Sequence, residues 1–421
     1  MLIRRIGAVL LVTFSLLSSG CYGSTETNDV AYVLVIGVDK ADEGKQRITV
    51  QLAVPGGKSD SATSGRSEDG SAQKKPWILN TIVTPSPAEE AMLLRSTTSR
   101  LNNLTHVGIV IFSEEIARQG LAPQLAQILR SHEYRETLYL IIVPGTAEEY
   151  MKHNKPTLEE GISKFYELVF ATATESGYYS PSTLHEFYSR LKNAGGSPYV
   201  AYSAVNPMTL SDKTSGAKMP QQKGDPYLSG GVPRTGTENP IEFLGLAVFR
   251  EDKMVGVLNS DESRAIAILQ NNFPHGYIGI VDPLKPEKDA ISLNICGKSA
   301  KITASLNDSV PVFDVNVNLD GEILGITSGI NYEAPGYREL LETQVANLFK
   351  EQITAMISHT QKLGTDPVGF GLYLRPQLAN TSELTQTDMT ALYQAAEISV
   401  TVTVKIRHTG RIWRTSPIKN Q

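Results

Sequence analysis

Cysteine is nearly absent: 421 residues contain two, Cys21 and Cys296. Such a chain has no disulfide framework and must be held by its apolar cores, even where it works outside the cytosol. Long hydrophobic runs are missing beyond the first 20 residues, and no later segment approaches the roughly 20 apolar residues that a membrane-crossing helix needs. Positive charge is not in excess either, since 39 Lys and Arg face 44 Asp and Glu for a formal charge of −5. That balance argues against nucleic acid and against an electrostatic grip on anionic lipid. The seven histidines, at 106, 132, 153, 185, 275, 359 and 408, include no pair spaced as local metal ligands. No G-x-S-x-G elbow occurs, and Ser71-x-x-Lys74 fits one box of an acyl-transfer enzyme without its two companions. These absences favour a non-enzyme with no metal and no cofactor.

What is present begins at the N-terminus. Arg4 and Arg5 precede a short apolar run, Ile6 to Leu17, and Ser18-Ser19-Gly20 leads into Cys21. A basic head, a short hydrophobic body and small exit residues make an export leader. Gly20 before Cys21 matches the box at which bacterial lipoproteins are cleaved and lipidated, although Ser18 stands where Leu is usual and Leu17 lies one place further back. The expectation is that residues 1–20 are removed and that Cys21 carries the lipid. Acyl chains then supply the membrane attachment, at about 0.8 kcal/mol per buried CH₂, with more than one chain needed for firm anchoring. Losing Arg4 and Arg5 takes the formal charge from −5 to −7.

The remaining 401 residues exceed what one core usually organises, so two or three domains are expected. Residues 31–38 (AYVLVIGV) and 47–54 (RITVQLAV) read as a strand hairpin. Residues 55–76 hold no Leu, Ile, Val or aromatic residue and are expected to be a mobile loop. A strand over 77–83, a helix from Pro87 to about Leu101, a strand over 107–112, a helix over 113–130 and a strand over 138–143 follow as an α/β layer. Helices broken near 177–181 occupy 157–193, and 206–240, with five prolines, reads as a long loop or linker. A second hairpin, 243–249 with 254–258, precedes a helix from Ser260 to about Asn271. Strands are expected over 291–296, 301–306 and 312–319. A long helix over 337–363 ends at Gly364, and an alternating strand over 398–406 closes the chain. Cys296, within the alternating run 291–296, reads as a small buried residue.

Two features imitate chemistry. Gly297-Lys298-Ser299 resembles the end of a phosphate loop, but Ser292 stands where the first glycine is required and strands lie on both sides, so it reads as a turn. Glu114-Glu115 and Asp261-Glu262 each follow a serine at a strand-to-helix junction. Ser113 and Ser260 suit capping, and the acids suit the first-turn dipole, so both pairs read as structural.

Four separated segments together resemble the Ger(x)C family, the lipoprotein C subunits of nutrient germinant receptors in endospore-forming bacteria. The family's mature start reads approximately G-C-W-D-x-x-E-L-N-D, with a strand ending G-x-D soon after. Gly20, Cys21, Glu26, Asn28, Asp29, Gly37 and Asp39 match it, whereas Tyr22 and Gly23 depart. The other matches are 106–121 with 128–143, then 244–266, and lastly the long helix with KLGTDPVGFG (362–371) and VTVKIRHTG (402–410). The resemblance implies a mixed α+β and α/β ectodomain of three domains, each a β-sheet with helices against it, the last a strand-rich sheet against one long helix. The expected division is 1–20 signal peptide, 21–195 N-terminal α/β domain, 196–272 middle domain and 273–421 C-terminal domain. It also implies work in spore germination on the outer face of the spore's inner membrane, with integral membrane subunits as partners. It offers no catalytic residue. A solute-binding lipoprotein of a transporter is the alternative, sharing the anchor and the α/β layering.

Overall fold

The computed structural model describes residues 4–7, 29–54, 76–85, 87–159, 161–207, 227–234, 239–287, 289–307, 310–377, 387–408 and 415. The first sheet opens with β1 (Val30–Lys40), β2 (Gln46–Ala53) and β3 (Trp77–Thr84), joined in antiparallel register. Helix α1 (Pro87–Thr97) and the short β4 (Leu101–Asn103) lead to β5 (Ile109–Ser113). Helices α2 (Glu114–Gln119) and α3 (Ala122–Arg130) precede β6 (Tyr139–Val143). Then come α4 (Ala147–His153), α5 (Ile162–Ala171), β7 (Ser182–Thr183), α6 (Leu184–Lys192) and β8 (Tyr199–Val205). A hairpin of β9 (Ile241–Arg250) and β10 (Lys253–Leu258) completes the sheet, in the order β10-β9-β8-β6-β5-β1-β2-β3. Its centre, β1-β5-β6-β8, is parallel and its flanks are antiparallel. Helices cover both faces, which is why β5 and β6 are almost unbroken runs of apolar residues.

Helix α7 (Ser260–Leu269) leads to a second sheet. It contains β11 (Gly276–Val281), β12 (Ala290–Asn307), β13 (Val310–Ile326) and β14 (Glu397–His408), in that spatial order. The parallel β13–β14 pair is bridged by α8 (Tyr337–Leu363), α9 (Phe370–Leu374) and α10 (Met389–Ala395). Alternation buries Ile291, Leu293, Phe313, Val315, Val317 and Leu319 while the intervening residues face outward. α8 covers the buried face with Leu341, Val345, Phe349, Ile353, Met356 and Ile357, a stripe at helical spacing. Gly364 ends α8 in the left-handed conformation.

The structure bears out the mixed fold class and the final sheet against one long helix, and it changes several details. The hairpin expected in a middle domain, β9 with β10, belongs to the first sheet, as does β8, for which no strand is expected, so the described residues of 196–272 form no sheet of their own. The helix expected over 113–130 is two helices, broken at Gly120, whose φ of 123° no side-chain-bearing residue adopts readily. The helix from Pro87 stops at Thr97, and Leu101 starts β4 instead. The strands expected over 291–296 and 301–306 are one strand; Gly297-Lys298-Ser299 is a bulge in it, not a turn. Cys296 sits on the face opposite Ile295 and is half-buried; burial pushes its thiol up, with Glu322 and Asp320 adding to the effect.

One apolar core joins the two sheets. Val35, Ile111, Ile141 and Val248 of the first sheet form a single cluster with Leu293, Val315 and Phe349 of the second unit. α7 lies between them, against β9, β12 and α8, and Ala265, Ile266, Ala267, Ile268 and Leu269 are all buried. Arg264, on the same helix, is only 4% exposed. It pairs with Asp261 one turn back and lies 5.8 Å from the rings of Tyr178 and of Phe349. A buried cation with one acidic partner makes the two halves of that pair unequal. Asp261→Ala leaves Arg264 charged and dry, and should cost about 3–5 kcal/mol in urea unfolding. Arg264→Met leaves an acid that Gln352 still contacts and that can take up a proton, so it should cost less. Equal losses would refute this asymmetry.

Candidate functional site

Cys21 lies outside the described residues, as do Glu26 and Asn28 of the opening motif. The G-x-D at the end of β1 is described, and it seats a helix. Asp39 accepts hydrogen bonds from the backbone N–H groups of Ala147 (2.6 Å) and Glu148 (3.1 Å), the first turn of α4. Burial raises its acid above the ordinary carboxylate value, against the pull of those two amides. Gly37 lies under the same helix, where a Cβ would come within 2.8 Å of Met151 Sδ and 3.0 Å of Ala147 Cβ. The motif is thus a close-approach site for α4.

The two acid pairs are engaged in folding contacts. Glu114 accepts from Arg118 (2.6 Å) and from the Tyr202 hydroxyl (3.0 Å), and Glu115 pairs with Lys40. Asp261 holds Arg264, and Glu262 lies 2.6 Å from His359 Nδ1. The serine expected to cap the second pair does not do so. Asn259 caps α7, accepting from Asp261 N and Glu262 N, while Glu262 reaches back to Asn259 N in a capping box. Ser113 occupies the cap position of α2 but makes no capping bond with its side chain. Among the described residues no group of three or more His, Cys, Asp and Glu is placed to hold a metal ion.

Two of the segments after the opening motif, 106–121 and 362–371, meet the β9–β10 hairpin of a third. Asp252, at its tip, accepts from Leu121 N through its carbonyl (3.0 Å) and from Ala122 N through its carboxylate (2.9 Å), fixing the start of α3. On the other side of β9 the chain leaving α8 is docked. Thr365 Oγ1 donates to Phe249 O (2.7 Å), Ser197 N donates to Asp366 O (2.7 Å), and Asp366 N donates to Ser197 Oγ (2.8 Å). The Asp366 carboxylate then accepts from Gly369 N (2.8 Å) and Gly371 N (2.9 Å), closing the turn 366–371 on itself. Gly195 and Gly371 touch backbone to backbone; a Cβ on Gly371 would stand 2.5 Å from Gly195 Cα. Gln270 joins this seam to the first sheet, donating to Pro367 O (2.9 Å) and accepting from Tyr199 Oη (2.8 Å).

Asp366 is buried, 4% exposed, and its acid is shifted far enough to matter for pH. Burial pushes its acid from the ordinary 3.8 up to about 6, with the amides of Gly371, Phe370 and Gly369 opposing. The folded protein therefore holds this proton more tightly than the unfolded chain does. Its contribution is fully present below the unfolded value and is lost as pH rises through the folded one. Asp366→Asn cannot titrate, and it places an amide N–H₂ against a backbone N–H. Wild type should be the more stable at every pH, and its advantage in chemical denaturation should shrink as pH rises from about 4 to about 6. An advantage that grows over that window would overturn the assignment.

Asp39 and Asp366 lie within the segments that resemble the family, but periodicity and spacing do not mark their roles. A lone Asp followed by glycines, as in Gly364-Thr-Asp-Pro-Val-Gly-Phe-Gly371, is the available signal for an acid folded over backbone amides. Glu242 gave no such sign. It is buried on β9, bonds Arg234 and Asn206, and accepts from Gly230 N, so it organises a turn distant in sequence.

Comparison with known proteins places the chain. The N-terminal domain model of spore germination proteins matches residues 23–205, and the C-terminal model of the spore germination B3/GerAC-like proteins matches residues 244–410. YfkR of Bacillus subtilis is 23% identical over 407 residues, covering 97% of both chains. Spore germination protein KC of the same organism is 22% identical over 418 residues, covering 98% of this chain and 97% of its own. The crystal structure of the GerBC protein superposes with a TM-score of 0.51 at 15% identity, covering 88% of this chain and 96% of that one, which shows a shared fold. With both family halves matched in order, the chain belongs to the Ger(x)C family of spore germination proteins.

Proposed function

We propose that this chain is the lipid-anchored, non-catalytic C subunit of a nutrient germinant receptor, assembled with integral membrane subunits on the outer face of the spore's inner membrane. The observation that carries the reading is the ordered match of both family halves, 23–205 and 244–410, to spore germination proteins. The site geometry agrees: the acid pairs accept from cations, a hydroxyl and the cap amide of a helix within the fold. No helix among the described residues is long and apolar enough to cross a membrane, so attachment is assigned to acyl chains on Cys21. β1 begins nine residues after Cys21, a span of at most roughly 30 Å even when fully extended, which keeps the first sheet close to the bilayer.

The wild-type protein should incorporate labelled palmitate and partition into the detergent phase, and Cys21→Ala should do neither. Palmitate incorporation that persists in the variant would remove Cys21 from the proposal. From solubilised spore membranes the protein should co-purify with two integral membrane subunits. Its deletion should abolish germination in a particular nutrient without blocking spore formation. A protein that purifies alone, with deletion strains that germinate normally yet fail to import a solute, would replace this reading with a transporter's solute-binding lipoprotein.

A further inference from the structure

Large apolar side chains are exposed at one corner of the first sheet, where the chain enters the fold. Ile78 of β3, Met92 and Leu93 of α1 and Leu101 of β4 are between 39% and 67% exposed. Apolar residues exposed singly need no explanation, whereas several gathered together mark an interaction site. α1 packs across β3 and β4, and Asn80 Nδ2 of β3 donates to Thr97 Oγ1 (2.7 Å) near its end. Leu93 lies one turn before Thr97 on the same stripe of the helix, so it overhangs β3. Alternation puts Ile78 on the Asn80 side of that strand. Register fixes which end of the sheet this is. Leu101 stands opposite Val30, the first residue of β1, and Ile78 is linked through Leu52 of β2 to Val33.

We infer that this corner rests on an anionic lipid surface, a second and non-covalent membrane contact that orients the first sheet on the bilayer. The inference rests on the assignment of acyl chains to Cys21. Nine residues separate Cys21 from Val30 and reach at most roughly 30 Å, which keeps the corner beside the bilayer. A tether that short presents the lipid at an effective concentration on the order of millimolar, so a weak intrinsic affinity suffices. Local charge suits the occupant. The chain as a whole is acidic, but no acid occurs from Ala91 to Ser113, while Arg95, Arg100 and His106 do. Apolar side chains beside basic ones are the make-up of segments that lie in a membrane interface. Glu133 reaches β4, where its carboxylate accepts from Leu104 N (3.2 Å), and Glu89 belongs to the first turn of α1, away from this end. The hydroxyls between the arginines are already bonded: Ser96 Oγ donates to Leu93 O (2.6 Å), and Thr97 and Thr98 both donate to Leu94 O. Bringing them out of water therefore costs little.

The test uses the full-length lipidated protein in vesicles of phosphatidylglycerol and phosphatidylethanolamine. In a Cys296→Ser background, Met92→Cys carries a nitrobenzoxadiazole label at the corner, and Thr303→Cys carries it on the exposed side of the second sheet. Vesicle flotation is measured first, then quenching of the label by brominated lipid. The label at position 92 should be quenched and the one at position 303 should not. Ile78→Ser with Leu93→Ser should still float through Cys21, yet lower the quenching at position 92 at least about twofold, because interfacial binding scales with buried apolar area. Arg95→Gln with Arg100→Gln, or vesicles of phosphatidylcholine alone, should lower it in the same direction, and the arginine pair carries the test if the serine pair does not fold. A protein that floats without quenching at position 92, or with quenching that neither pair changes, overturns this contact and leaves the lipid on Cys21 standing. A protein that does not float loses both. A label that is shielded only when the integral membrane subunits are present assigns the corner to a protein partner and also overturns the inference.

Discussion

The molecule depends on burying one helix on nearly every side. Eight of the ten residues of α7 are buried, between a sheet that precedes it and a sheet that follows it. Such a helix has no wet face on which to leave polar groups, so each must find a partner inside. Asn259 and Glu262 satisfy its first amides, Ser263 donates to Asn259 O, and Ser260 Oγ accepts from Tyr227 N. Arg264 is the expensive member. It is held by Asp261 and flanked by two rings from elements on either side, Tyr178 and Phe349. The apolar half of the helix is what makes the core continuous across both sheets.

A joint built this tightly needs small residues where backbones meet. Gly195 and Gly371 leave no room for a side chain on either, and Gly297 brings the bulge of β12 against Phe273, where a Cβ would stand 2.3 Å from the carbonyl oxygen. Asp366 then closes the turn with two side-chain hydrogen bonds to glycine amides. Its burial opposes ionisation, so the turn is held by a group that is most content when protonated. The seam combines apolar burial with directed hydrogen bonds, and the latter fix how the turn after α8 sits on β9.

Much of the fold was legible in the sequence because the strongly periodic segments were long. α8, with Gly364 after it, and the alternating β14 stand where periodicity puts them, and the buried stripe on α8 includes Phe349 and Ile353. Local pattern could not tell that β8, β9 and β10 join the first sheet, since pairing β8 with β9 across residues 206–240 is a tertiary choice. It could not separate a bulge from a turn at Gly297, because glycine permits both and the register with β13 decides. The capping of α7 was misplaced by one residue, from Asn259 to Ser260, within the ordinary uncertainty of a helix start. The acid pairs contact side chains and helix starts of the fold, yet the groups that matter most to it, Asp39, Asp366 and Glu242, are single carboxylates whose amide partners are distant in sequence or folded back around a turn.

Helix α3 and the joint occupy opposite faces of the same sheet, and the route between them is short. Gln124 lies on α3, whose first amide is held by Asp252 at the tip of the β9–β10 hairpin, and β10 runs directly into α7. A route of contacts does not by itself transmit anything; transmission needs an element with two arrangements that both ends bias. The elements differ in how firmly they are held. α7 is buried nearly all round and α3 contributes Gln124, Leu125 and Ile128 to the core. α1 buries Leu94 alone among its described side chains and leaves Met92 and Leu93 exposed. Burial of that kind sets the order in which elements yield to a perturbation, and the joint beneath the sheet is the part most resistant to change.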